Sequence, residues 1–178
     1  MAEQRLKNRV RIACLLLLSV MNSAHAVPDS IKSLVPGAQK VGEGRLTYVF
    51  WDVYDATLYA PQGQWRDNPP FALQLSYLRS LEGSKIADRA ITEMREQGFD
   101  DEVRLATWHT QMRNIFPDVD QGMRLTGVYT QTGATIFYRN GAEIGSLSDP
   151  AFGQAFFGIW LDEKTSAPEL RLQLIGIL

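Results

Sequence analysis

An α+β fold, with a largely antiparallel sheet and helices packed on one of its faces, is what this sequence predicts, and three observations predict it. Strand-like and helix-like segments are segregated along the chain as strands, two helices, strands and two further helices, where a parallel α/β sheet would need them to alternate. Residues 133–147 read as a β-hairpin. Ala134, Ile136 and Tyr138 alternate with Thr135, Phe137 and Arg139, and Asn140-Gly141 then supplies the two positive-φ positions of a tight type I′ turn. Directly after the hairpin, Phe152, Ala155, Phe156, Ile159 and Trp160 recur at i, i+3, i+4, i+7 and i+8, on one helical face. Burying the larger of these side chains is worth roughly 1.5–3 kcal/mol each, which makes this helix core.

The first 26 residues are set apart from the fold. Arg5, Lys7, Arg9 and Arg11 form a positive region, Ile12 to Met21 is apolar, and Ala24-His25-Ala26 has the A-x-A form of a signal-peptidase site. Cleavage after Ala26 is expected, because an apolar run of about ten residues is well short of the ~20 that span a bilayer. Cys14 follows no small-residue lipobox, so lipidation is not expected, nor is stable membrane insertion after cleavage. Removing this segment leaves 14 basic against 19 acidic residues, a balance that argues against nucleic acid as a partner. It also removes the only cysteine, so no disulfide can form and the stability of residues 27–178 must come from their core. That length suits one domain, which at this size buries about 70% of its unfolded surface.

Taken in order, 27–44 is punctuated by Pro28, Pro36, Gly37, Gly42 and Gly44 and predicts a short strand or turn leading into the sheet, with Gly42-Glu43-Gly44 as a turn. Residues 45–60 are β-branched and aromatic without Gly or Pro, which predicts one long strand, or two around a bend near Trp51-Asp52, apolar on both faces. Phe71 to Leu78 alternates again. Ser84 to Gln97 reads as a helix with Ile86, Ala90, Ile91 and Met94 on its stripe and Gly98 as a left-handed cap. Asp100 or Asp101 caps the next helix, where Leu105, Trp108, Met112 and Ile115 recur until Pro117. Met94, Trp108 and Met112 suit plain core or the wall of a lipid-sized cavity. A strand over 124–130 leads to the hairpin, and Ser148 or Asp149 caps the helix after it, with Pro150 in the first turn. Ser166 and Glu169 stand in capping-box relation at the start of the last helix, which Leu170 and Leu174 bury and Gly176 ends.

Chemistry-bearing residues are few. Asp52 and Asp55 flank Tyr54 but have opposite strand parity, so on a regular strand they face opposite ways and cannot work as an acid–base pair. Each is expected to accept hydrogen bonds from a backbone amide, a bulge or a nearby Arg. His109 is the one histidine of residues 27–178, with no cysteine or second histidine to build a metal site, and no G-x-S-x-G elbow supplies a nucleophile for it. It reads as a solvated or rim residue. No metal or other cofactor is expected.

Several stretches together carry a family resemblance. VYDATLYA on the long strand, YLRSLEG before the helix pair, FPDVDQGMRL before the hairpin, and NGAEIGSLSDPAFGQAFFGIWLDEKTSAPELRLQLIG at the end resemble the bacterial exported branch of the chalcone isomerase-like family. The resemblance covers nearly all of 27–178 and implies a periplasmic protein with an open-faced β-sandwich, in which a layer of helices covers a large antiparallel sheet above a ligand cleft. Plant enzymes of the family use a strand arginine, a strand threonine, a tyrosine, an asparagine and a late serine or threonine. Aligned by hand, Arg45 matches the arginine if about three residues are deleted. The other positions fall on Tyr54, Ile86, Glu93 and near Gly153. Ile86 and Gly153 can neither polarise a ketone nor position a phenolate, so isomerase activity is not expected.

The family also holds non-catalytic members that resemble fatty-acid binders, in which an arginine and a tyrosine hold a carboxylate inside an apolar cavity. Carried onto this chain, that implies Arg45 or Arg79 pairing with a carboxylate and Tyr54 or Tyr77 donating to it, with a small amphipathic carboxylate as partner. Against this stands an arginine bonded to Asp52 or Asp55 over a filled core. Two other readings remain open: a residual isomerase or lyase in which Arg45 and Tyr54 polarise a carbonyl, and a periplasmic interaction module that takes a protein partner and no small ligand.

Overall fold

The computed structural model describes residues 27–178, so the leader expected over 1–26 lies outside the described residues. The elements are α1 (Asp29–Lys32), β1 (Ala38–Tyr48), β2 (Trp51–Pro61), β3 (Phe71–Tyr77), α2 (Gly83–Glu96), α3 (Glu102–Ile115), β4 (Arg124–Tyr129), β5 (Thr135–Arg139), β6 (Ala142–Leu147), α4 (Pro150–Leu161) and α5 (Pro168–Leu174). The strands form one sheet in sequence order, every neighbour antiparallel. Alternation then decides the layers. Tyr54, Ala56 and Leu58 of β2 and Leu73, Leu75 and Tyr77 of β3 point to one face and are buried beneath α2–α5. On the opposite face the α1 segment covers only a patch, where Ile31 and Val35 pack on Tyr59, Ala72, Val128 and Tyr138. This is the α+β open-faced sandwich that the element order and the resemblance imply.

The hairpin and helix after it form as the residues dictate. Asn140 and Gly141 take φ of 49° and 89°, and Asp149 caps α4 by accepting from the Ala151 amide at 3.0 Å. The other oxygen of Asp149 accepts from Trp108 Nε1 at 3.1 Å, so the cap also ties α4 to α3. Phe156 meets Phe137, Phe152 and Trp160 with ring centroids 5.2–5.4 Å apart, an aromatic block that fixes the helix on the sheet. Asp101 caps α3, accepting from the Arg104 amide, and Gly98 takes φ 98° beyond α2. His109 sits partly exposed at the rim of the helix pair, with Nε2 2.8 Å from Asp88 Oδ1, and joins α3 to α2.

Three expectations are corrected. Gly42 and Gly44 are not in a turn but inside β1, an eleven-residue strand. A Cβ on Gly42 would stand 2.0 Å from the Gln173 carbonyl oxygen, and one on Gly44 2.0 Å from Gln173 Oε1, so the two missing side chains let α5 lie directly on the strand. The bend falls at Val49-Phe50, before Trp51-Asp52, with Val49 at φ 58°. The Ser166–Glu169 capping box does not form, because α5 starts at Pro168 and the Ser166 hydroxyl donates instead to Glu93 Oε1 at 2.8 Å.

Candidate functional site

A cavity of 960 Å³ lies between the helix-covered face of the sheet and α2, α4 and α5. Its floor includes Tyr54, Leu73, Leu75 and Tyr77. Ile86 and Ala90 of α2, Phe156, Phe157 and Trp160 of α4 and Leu170 of α5 close it from above. Gly127 helps to make the room, since a side chain there would press on the ring of Phe157. The exposed lining residues mark the mouth: Thr47, Tyr48 and Trp51 from the β1–β2 hairpin, Arg45, Arg79, Lys85 and Arg89 of α2, and Ser166, Pro168 and Glu169 at the start of α5. Met94, Trp108 and Met112 are plain core and take no part in the lining.

Tyr54 and Tyr77, opposite each other in the β2–β3 register, bring their rings edge to face at 5.9 Å. Trp160 Nε1 donates to the Tyr54 hydroxyl at 2.8 Å, and the tyrosine's own proton has no protein acceptor among the described residues. Burial pushes both phenols well above their ordinary value, against the lowering effect of the Trp160 N–H on Tyr54, so both stay neutral donors. Glu93, 5% exposed, accepts from Arg89 and from Ser166 on one oxygen and leaves the other without a partner among the described residues. The i,i+4 spacing of Arg89 and Glu93 is a sequence signal for that pair. Its link to Ser166, 73 residues away, has none.

At the mouth Asp52 and Asp55 do not face opposite ways as their strand parity predicts. The β1–β2 register shifts between Leu46 and Thr47, so that Leu46 pairs with Tyr54 and Thr47 with Asp52, and Val53 is the extra residue. The bulge turns both carboxylates toward one guanidinium. Arg45 Nε and Nη2 donate to the two oxygens of Asp55 at 2.6 and 3.1 Å, while Nη1 donates to Asp52 at 2.9 Å. Thr47 Oγ1 donates to the other Asp52 oxygen at 2.7 Å. The hydrogen bonds that Arg45 donates to Asp55 and then to Asp52 push its pKa up, and donation from Thr47, followed by that from Arg45, holds Asp52 below its ordinary value. All three nitrogens of Arg45 are therefore engaged. Arg79 is placed differently: its guanidinium lies 5.0 Å from the centre of the Trp51 ring, and it makes no ion pair among the described residues.

Of the positions aligned to the plant catalytic set, Arg45, Tyr54, Ile86 and Glu93 line the cavity. Gly153 does not. A Cβ there would stand 2.4 Å from the ring of Tyr129, which occupies the space a hydroxyl side chain would need.

Comparison with known proteins gives the same architecture. The crystal structure of an Arabidopsis thaliana fatty-acid binding protein, AtFAP1, superposes with a TM-score of 0.61 at 11% identity, over 79% of this chain and 88% of that one. A Haemophilus influenzae protein described as uncharacterized is 27% identical over 139 residues, 78% of this chain and 68% of its own length. The family model described as chalcone isomerase-like matches residues 39–176, a span that takes in every strand and the four helices of the covering layer, so this chain belongs to the chalcone isomerase-like family.

Proposed function

We propose that this chain, exported and relieved of residues 1–26, binds a small amphipathic carboxylate such as a fatty acid and does not transform it. The observation that carries the reading is the 960 Å³ cavity, within the about 300–1,000 Å³ range of small-molecule sites, with an apolar interior and cationic side chains at its mouth. Leu73, Leu75, Phe156 and Phe157 receive the tail. Arg79 takes the carboxylate, because the charge of Arg45 is already matched by Asp52 and Asp55, with each of its nitrogens donating to one of them, while Arg79 has no carboxylate partner among the described residues. Arg45 instead braces the bulged mouth, and Tyr54 and Tyr77 offer neutral hydroxyl donors further in. The fatty-acid binding of a neighbour with the same fold supports this reading by analogy.

Native mass spectrometry of the chain purified mildly from its exporting cell tests it. The expected spectrum shows a chain beginning at Val27 with a discrete extra mass that organic extraction removes. Saturated fatty acids then rebind, with affinity rising roughly fourfold per added methylene until the cavity is full, as about 0.8 kcal/mol per buried CH₂ requires. Arg79→Ala weakens binding roughly 10- to 100-fold, the loss of one charge-assisted hydrogen bond. A bare mass together with no uptake of added fatty acid rejects the reading.

A further inference from the structure

We propose that the tip of the β1–β2 hairpin docks on a lipid bilayer with anionic headgroups and sets the mouth of the cavity against it, so that the ligand exchanges between bilayer and cavity without crossing water. The inference rests on the binder reading above. Tyr48, Val49, Phe50 and Trp51 are 67, 67, 90 and 62% exposed, four large apolar residues in succession at a two-residue turn. Single exposed apolar side chains are ordinary on a soluble protein, whereas a contiguous cluster marks an interaction surface.

The backbone gives a second, independent sign. Val49 holds φ 58°, a region that suits Gly or Asn and strains a β-branched residue. The β5–β6 hairpin of the same sheet fills its turn with Asn140-Gly141, the residues the geometry asks for. The β1–β2 turn keeps an apolar pair where a relaxed polar one would fit.

Chemistry and position select a bilayer. Tyr and Trp rings place an apolar body beside a polar edge and concentrate at membrane interfaces, and the fully projecting Phe50 suits the acyl boundary. Arg79 lies over Trp51, with Lys85 and Arg89 exposed on the same mouth. Arg89 is paired with Glu93, Lys85 lies 3.9 Å from Asp88, and exposed Glu169 also lines the mouth. Arg79, with no ion pair among the described residues, is therefore the cation that complements an anionic headgroup, while the nearby Asp52 and Asp55 are both committed to Arg45. Tyr48 and Trp51 belong to the tip and to the cavity lining at once, so a docked tip brings the opening to the lipid surface. No helix among the described residues is long and apolar enough to cross a membrane, which makes the contact peripheral and reversible.

The test uses the chain expressed from its whole sequence and purified as the cell leaves it. Trp51 is the exposed indole of the four, so phosphatidylcholine vesicles carrying phosphatidylglycerol and brominated acyl chains report on the tip directly. The expected result is quenched tryptophan emission that Trp51→Phe abolishes, and vesicle partitioning at least about tenfold weaker in the double variant Val49→Asn/Phe50→Ser, the factor given by about 1.4 kcal/mol of lost burial. Neither substituted residue lines the cavity, so fatty-acid uptake in solution stays unchanged in that variant while transfer from vesicles slows. Trp51 emission that no vesicle quenches, or partitioning that the double variant leaves intact, overturns the proposal even where solution uptake persists. A dimer that the double variant dissolves, with no partitioning, gives the tip to a second copy of the chain. Quenching that persists in a protein unable to take up fatty acid leaves docking standing and removes the cavity reading instead.

Discussion

Val49 and Arg45 show how single residues depart from what their surroundings would favour, and each departure is legible only with the backbone in view. A β-branched residue at φ 58° costs of order 1 kcal/mol more than one suited to the left-handed region. Val49→Asn is therefore expected to raise the unfolding free energy by about 1 kcal/mol, read as a higher urea midpoint at unchanged slope. A lower midpoint would mean that the Val49 side chain makes a contact the fold depends on. In the sequence, Arg45 and Arg79 are equal candidates for a ligand carboxylate. The bulge at Val53 separates them, since it delivers two aspartates to one and none to the other. Strand parity, the argument available from sequence, assumes a regular ladder and fails at an inserted residue.

Among the elements, α5 and β1 depend on each other through Gly42 and Gly44. The expectation of a turn at these glycines was a local reading of Gly, and what decides their role is the C-terminal helix α5, which lies on them. Gly42→Ala is expected to cost about 1–3 kcal/mol and lower Tm by several degrees, because its Cβ meets the backbone carbonyl of Gln173, which cannot swing aside as a side chain could. Glu43→Ala, exposed between the two glycines, should stay within about 0.5 kcal/mol of the parent. Equal Tm values for the two variants would show that α5 can lift off the strand without penalty. The elements set by local chemistry behave otherwise. The Asn140-Gly141 turn, the Asp101 and Asp149 caps and the Gly98 terminus follow from residue types within a few positions of one another. Ser166 breaks this pattern, because buried Glu93 takes its hydroxyl and the helix start shifts past it.

For the whole molecule, burial raises the pKa of Tyr54, Tyr59, Tyr77, Tyr129 and Tyr138, and Tyr54 and Tyr77, raised furthest, lead the alkaline behaviour. Tyr54 and Tyr77 have pKa values raised by burial above the ordinary 10, so between pH 10 and their folded values the unfolded chain releases protons that the native chain retains. Their contribution to stability is complete below pH 10 and falls as pH rises, by about 1.4 kcal/mol per pH unit for each. Urea unfolding followed from pH 9 to pH 11 should show this loss, with the phenolate absorbance of these two residues appearing only on unfolding. Phenolate absorbance from all six tyrosines in the folded protein near pH 10 would place the two hydroxyls in water. At this scale the sequence by itself determined the α+β class, the antiparallel character of the sheet and the apolar helix that closes it, because alternation, helical spacing and turn chemistry are local signals. It also carried the family, through the stretches that run from VYDATLYA to the C-terminal helix pair. The tertiary structure decided the open volume between sheet and helices, the capture of Arg45 by two aspartates, the freedom of Arg79 and the exposure of the Tyr48–Trp51 tip. Each of these depends on where segments distant in sequence meet, or on one inserted residue in a ladder, and period and propensity encode neither.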